Sequence, residues 1–332
     1  MQSGSQYLPT SSPLHLFNQV LEEGDRISEM EQMVTMYSKS TDISVKVDKF
    51  GTATIEQRNR NGTTVITIQN IAAFRGNNQG LKKMFNFLLQ KINEQAVFEH
   101  KMVKNYILFS INELVDLGIF SSYDSAKKSS EKYITMLRRI DIRYKNNKGD
   151  IFADTLFGKM SMKPRTGYCR VDLGESVDWD AMFRYIALMP SFIYGLSNRG
   201  FTLGYNIVYL ARANPDFINF EADDRYLKIS FRKLQTALRL PLEEDAKNPA
   251  RDIKKEIEHT VEEFSMCSGG GYVVEMVCKD NAAISEWLDT GYIRVYIYDQ
   301  DQIDYLKSIC SLRDQKQKLP VKGKKAVCRT EE

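Results

Sequence analysis

The spacing of apolar and polar positions changes period several times along this chain, and the order of the changes occurs twice. In LKKMFNFLLQKINEQ, Leu81, Phe85, Leu88, Leu89 and Ile92 recur at helical spacing and predict an amphipathic scaffold helix. The apolar run YILFSI follows, then INELVDLGIF, a short helix closed by Gly118. SSYDSAKKSSEKYITMLRRI predicts a further helix over 124–139, with Ser122 or Asp124 as its N-cap. Beyond Ile140 the period drops to two in IDIRYK, IFADTLFGKMSM and YCRVDL, with turns at Asn147-Lys148-Gly149 and at Lys163-Pro164-Arg165-Thr166-Gly167. An apolar helix, a short second helix, a longer helix rich in charges and a hairpin in this order predict a winged helix, with the helix at 124–139 in the recognition position and the basic second hairpin as the wing.

The second run begins with FTLGYNIVYLARA and continues through LKISFRKLQTALRL, the breaker Pro241 and NPARDIKKEIEHTVEEF, where Asn248 is the predicted N-cap and Pro249 the first helical residue. Cys267-Ser268-Gly269-Gly270-Gly271 ends that helix, and GYVVEMVCKD with GYIRVYIYD supplies two strands joined through NAAISEWLDT. The repeat is one of element order, without residues aligned between the copies. Ahead of both, DISVKVDKF, TATIEQRNRNG and TTVITIQNI alternate, with Arg60-Asn61-Gly62 as a hairpin turn.

The predicted fold class is α+β: two tandem winged-helix domains preceded by a small N-terminal β-sheet. The expected division is a flexible arm at 1–41 with a candidate amphipathic helix in LHLFNQVLEEGDRISEMEQMV, the small sheet at 42–75, the first winged helix at 76–173, a connecting helix at 174–200, the second winged helix at 201–310 and a basic flexible tail at 311–332. Trp179, Phe183, Tyr185 and Phe192 of the connecting segment are expected in the core.

A net charge of +3 over 332 residues becomes informative once it is divided along the chain. Residues 101–170 hold 14 Lys and Arg against seven acids, a net +7, and residues 311–332 hold seven against three, a net +4. The remaining 240 residues carry about −8, so positive charge is concentrated where phosphate contact would release counterions. No apolar run approaches the ~20 residues of a membrane span and no signal peptide is visible, which predicts a cytoplasmic protein without a membrane partner. Five cysteines without metal-ligand spacing predict reduced, mostly buried thiols, with neither disulfide nor zinc.

The stretches TTVITIQNIAAFRG, LKKMFNFLLQKINEQ, YILFSINELVDLGIF and DSAKKSSEKYITMLRRIDIRY, a hairpin, and then a degenerate second copy resemble the replication initiators of plasmids and integrative elements of low-GC Gram-positive bacteria, over about residues 40–300. The resemblance implies two winged helices gripping adjacent major grooves of repeated origin sites in double-stranded DNA, a homodimer that acts on the origin as monomers, and recruitment of host replication proteins. It points to Ser125, Lys127, Lys128, Ser129, Lys132 and Thr135 on the first recognition helix and to Lys159, Lys163, Arg165 and Arg170 on the first wing. In the second copy it points to Arg251, Lys254 and Lys255, although Glu256, Glu258, Glu262 and Glu263 follow at once, so that helix is read either as a second DNA contact or as a dimerisation surface. Tyr133, Ile134 and Leu137 are expected in the core. Arg232, Lys233 and Arg239 are read as ordinary surface charges.

Only His15, His100 and His259 occur, each isolated, so the His-hydrophobe-His metal site of a nicking tyrosine enzyme is missing. There is no G-x-x-x-x-G-K-[ST], no G-x-S-x-G and no Cys/His cluster. The expectation is a DNA binder without enzymatic activity or cofactor. Two rival classes use the same fold: a transcriptional regulator or copy-number repressor, and a protein-docking module that binds no DNA.

Overall fold

A computed structural model describes residues 6–9, 42–59, 62–69, 78–98, 105–146, 151–163, 165–175, 177, 186–238, 240, 249–279 and 284–318. It is a mixed α+β structure with four antiparallel sheets. Strand β1 (Gln6–Pro9) pairs with a strand near the middle of the chain. It is followed by β2 (Asp42–Val47), β3 (Ala53–Asn59) and β4 (Gly62–Ile68), then helix α1 (Asn78–Phe98), β5 (Tyr106–Ser110), α2 (Ile111–Asp116) and α3 (Tyr123–Leu137). Four strands follow: β6 (Ile140–Asn146), β7 (Ile151–Thr155), β8 (Phe157–Met162) and β9 (Tyr168–Leu173). After β10 (Ile186–Met189) and a 3₁₀ turn at Ser191–Gly195 come α4 (Asn198–Ala213), β11 (Tyr226–Ser230), α5 (Phe231–Ala237), α6 (Pro249–Cys267), β12 (Tyr272–Val277), α7 (Ile284–Thr290), β13 (Tyr292–Ile297) and α8 (Gln300–Lys318).

The N-terminal sheet is larger than expected. Its strand order is β2-β3-β4-β6-β7, so the hairpin at 140–155 leaves the first winged-helix segment and extends the small sheet predicted at 42–75. Cross-strand registry supplies the reason. Ile55, Ile66 and Ile142 form one buried row and Ala53, Ile68 and Ile140 the next, a ladder of apolar pairs that β6 completes. IFADTLFGKMSM, read as one strand, is broken at buried Leu156, where the chain passes from this sheet to the next. Asn59 pairs with Gly62 across the predicted hairpin, while Arg60 and Asn61 lie outside the described residues, as does Asn147-Lys148-Gly149.

Two units of the same topology follow. The first is α1-β5-α2-α3-β8-β9, with strand order β5-β9-β8; the second is α4-β11-α5-α6-β12-β13, with order β11-β13-β12. In both the last strand occupies the middle. Two strand stretches of the units also align residue by residue. YILFSI matches YLKISF with the same burial alternation, and GYCRVDL at 167–173 matches GYIRVYI at 291–297. The pairing is identical too: Ser110 faces Tyr168 as Ser230 faces Tyr292, and Leu108 faces Arg170 as Lys228 faces Arg294. The Ile111 N–H donates to the Gly167 carbonyl at 3.0 Å, and the Phe231 N–H to the Gly291 carbonyl at 3.0 Å.

The first helices join the units. Residues 81–90 of α1 are buried on every side. Lys83 Nζ donates to the carbonyls of Tyr194 at 2.8 Å and Leu196 at 2.6 Å, and Lys82 Nζ lies 4.8 Å from the Tyr205 ring centre of α4. Burial of Lys83 pulls its ammonium down to about 8, against a smaller upward pull from Glu263.

Three expectations about boundaries change. Gln6–Pro9 forms a strand against Ile186–Met189, where a flexible arm was expected; the remainder of 1–41, with its candidate helix, lies outside the described residues. Within 174–200, where a connecting helix was expected, the described residues form that strand and a 3₁₀ turn at Ser191–Gly195, and 176 and 178–185 lie outside the described residues. Phe192 packs on Phe264 and Tyr272 at 5.5 and 5.9 Å, while Trp179, Phe183 and Tyr185 are not among the described residues. The tail predicted from 311 is helical through Lys318, because Ile303, Leu306, Ile309 and Cys310 give α8 a buried stripe. Residues 319–332 are outside the described set. Among the described residues no helix is long and apolar enough to cross a membrane, and no group of His, Cys, Asp or Glu could hold a metal ion. Cys169 and Cys310 are buried, but Cys267 and Cys278 are exposed, against the expectation of mostly buried thiols; Cys328 is not described.

Candidate nucleic-acid interface

Helix α3 begins at a resolved choice of cap. Ser122, not Asp124, closes its N-terminus, the hydroxyl accepting the Ser125 N–H at 3.3 Å. Ala126, Ser130, Ile134 and Leu137 make the buried stripe, with the Ser130 hydroxyl donating to the Ala126 carbonyl at 2.6 Å. Half-buried Tyr133 stacks on Phe120 at 6.0 Å, and burial raises its phenol. This stripe leaves Lys127, Lys128, Lys132 and Thr135 exposed on the opposite face, beside half-buried Ser125 and Ser129. Arg138 extends that exposed face and was not singled out in the sequence, and Asp124 and Glu131 are its acids.

The turn between β8 and β9 sits against the start of this helix. Gly167 has φ +68°, a left-handed conformation suited to glycine, and its N–H donates to the Lys163 carbonyl at 2.9 Å. A Cβ on Gly167 would come within 2.6 Å of the Tyr123 hydroxyl, so the turn and the first residue of α3 are in direct contact. Exposed Lys163 and Arg165 are thereby brought beside the N-terminal turns that carry Lys127 and Lys128. Lys159 is exposed on β8. Arg170 is exposed on β9, its guanidinium 4.1 Å from the Tyr106 ring centre and paired with Asp172 at 2.9 Å on the outer sheet face.

In the second unit Ile253, Ile257, Thr260, Val261 and Phe264 bury one side of α6, leaving Arg251, Lys254 and Lys255 exposed on its first two turns. Pro249 opens the helix as predicted; Asn248 is not among the described residues. The four glutamates divide. Glu256 binds Arg199, and Glu263 accepts the Ser197 N–H and hydroxyl, each at 2.6 Å, so these two turn inward and tie α6 to the start of α4. Glu258 and Glu262 remain exposed, the former 3.8 Å from Lys254. Arg232 and Lys233 are exposed surface charges, although Arg232 pairs with Asp289 at 2.7 Å; Arg239 is not described.

A residue missed by the sequence reading is Arg294, the counterpart of Arg170. Its guanidinium lies 4.9 Å from the Tyr226 ring centre, and it donates to the Tyr292 hydroxyl at 3.4 Å. The shared Gly-Tyr-x-Arg-Val of the two last strands was the available signal.

No family model and no curated protein matches the chain. Among solved structures it is similar to RctB domains 2-3 (RctB-155-483), with 10% identity over 80% of this chain and 94% of that one and a TM-score of 0.44. A selenomethionine form of domains 2 and 3 of RctB gives 10% identity, 87% and 99% coverage and a TM-score of 0.41.

Proposed function

We propose that the two units are tandem winged helices and that the chain is a non-enzymatic, sequence-specific binder of double-stranded DNA acting as a replication initiator on repeated origin sites of a plasmid or integrative element. The observation that carries DNA binding is the junction at Tyr123 and Gly167, where a lysine-bearing helix face and an exposed basic turn form one surface. Lys127, Lys128, Lys163 and Arg165 are exposed and form no ion pair among the described residues, which leaves their charge open to phosphate. The initiator role is supported by the resemblance described for residues 40–300. That resemblance also suggests a homodimer in solution and host replication proteins as partners.

Binding is tested by titrating the full chain against the DNA flanking its own gene over a range of salt concentrations. Lys127→Ala/Lys128→Ala/Lys132→Ala removes about three phosphate contacts and should lower the salt slope by about 2 to 3 units. An unchanged slope in a folded variant refutes the interface, and absence of any salt-dependent binding leaves the protein-docking module. Initiator and repressor separate in a second assay: the gene with its flanking DNA should sustain replication of a circle that has no other origin.

A further inference from the structure

The two units differ in the loop between their last two strands. In the first, Lys163–Gly167 is a tight turn carrying Lys163 and Arg165, and among the described residues no carboxylate reaches either side chain. In the second, residues 278–291 separate β12 from β13 and contain α7, which folds back onto α5. Trp287 of α7 stacks on Phe231 of α5 with ring centres 4.0 Å apart, and Asp289 pairs with Arg232 at 2.7 Å. Gly291 packs so closely under Phe231 that a Cβ there would lie 2.3 Å from the ring.

The charge of this loop is also reversed. Lys279 is its one cation, paired with Glu286 at 2.8 Å, and with Asp280 and Asp289 the segment 278–291 carries a net −2. A groove edge lined with phosphates attracts Lys163 and Arg165 but offers nothing to this surface.

Resting on the reading that both units bind DNA, we infer that they grip the duplex unequally. The first unit engages it through α3 together with the Lys163–Gly167 turn. The second engages it through α6 alone, with Arg251, Lys254 and Lys255 as its cations. Helix α7 turns the tip of the second hairpin into a brace that fixes α5 and keeps that tip off the DNA.

The test uses the full chain and the duplex recovered with it by in vitro selection, with fluorescence anisotropy followed across salt concentration. Lys163→Ala/Arg165→Ala should lower the salt slope by about 2 units. Lys279→Ala and Glu286→Lys change exposed side chains and should leave the slope unchanged. If α7 faced phosphate, the former would lower the slope and the latter raise it, by about 1 unit each; either result overturns the inference. So does a Lys163→Ala/Arg165→Ala variant with the wild-type slope while Lys127→Ala/Lys128→Ala still reduces it. If none of the four variants moves the slope, the DNA-binding reading falls with it.

Discussion

Gly167 and Gly291 occupy the same place in the two units, yet alanine should be refused at each for a different reason. At Gly291 the new Cβ would lie 2.3 Å from the Phe231 ring and 2.5 Å from the Trp287 carbonyl oxygen. Phe231 is fully buried against Trp287, and the Gly291 N–H already donates to that same carbonyl at 2.9 Å. Neither neighbour can retreat without disturbing the last turn of α7, so the overpacking cost belongs toward the upper end of about 1–3 kcal/mol. At Gly167 the obstacle is the tip of Tyr123, which can swing aside, and the main cost is a left-handed φ of +68°, about 1–2 kcal/mol for a residue with a Cβ. Urea unfolding followed by circular dichroism gives both values, with tryptophan fluorescence as a second probe. The variants should separate in function: Gly167→Ala strains the left-handed turn that presents Lys163 and Arg165 and lowers DNA affinity, whereas Gly291→Ala leaves the salt slope intact. A Gly291→Ala protein within about 0.5 kcal/mol of wild type would show that the Phe231–Trp287 packing is not as described.

The caps at the two strand-to-helix junctions should differ in strength. Ser110 is part of a reciprocal box, its hydroxyl accepting the Asn112 N–H at 3.2 Å while Glu113 accepts the Ser110 N–H at 2.8 Å, so Ser110→Ala should cost about 1 kcal/mol in denaturant unfolding. Ser230 makes one 3.4 Å bond to the Lys233 N–H, and Ser230→Ala should cost less; equal losses would count against the box. Lys83, held down at about 8, gives a pH signature. Between that value and the ordinary 10.5 the unfolded chain binds more protons at this site than the folded one, so stability from this group rises with pH across the window and is lowest below it. Thermal melts of Lys83→Met and wild type at pH 7.5 and 9.5 check this: the wild type should gain more on going to the higher pH, and parallel changes would refute the assignment.

Much of this was legible from period alone. The scaffold helix, the short helix closed by Gly118, the α3 stripe and the strands of both hairpins follow from spacing, although the spacing of the scaffold helix predicts one buried face and the structure buries residues 81–90 on every side. What escaped depends on pairing between distant segments. The membership of β6 in the N-terminal sheet is decided by the row Ile55, Ile66 and Ile142, and alternation in IDIRYK specifies a strand without saying which sheet it joins. Strand β10 does not announce itself, because a short apolar run in an aromatic segment has no decisive period and its partner lies some 180 residues away at Gln6–Pro9. The candidate site divides in the same way. Lys127, Lys128 and Lys132 were found from charge and helical register, while the engagement of Arg170 by Tyr106 and the inward turn of Glu256 and Glu263 depend on strand and helix neighbours that charge counting does not see.

The matched positions show where the two units are constrained and where they are free. Ser110 and Ser230 with Gly167 and Gly291 lie where the first strand, the second helix and the last strand meet, and Tyr106 and Tyr226 with Arg170 and Arg294 lie further along the same two paired strands. There a cap, a close backbone approach and a cation held over a ring must be satisfied together, so divergence is costly. The outer faces of α3 and α6 and the tip of the first hairpin carry no such obligation, and it is there and at the braced second tip that the units differ in charge. A lysine on an outward helix face contributes little to folding, since exposed ion pairs are worth at most about 1 kcal/mol. The concentration of exposed cations on α3 and its adjoining turn, against a braced acidic tip in the second unit, is therefore better explained by what the surface meets than by what the fold needs.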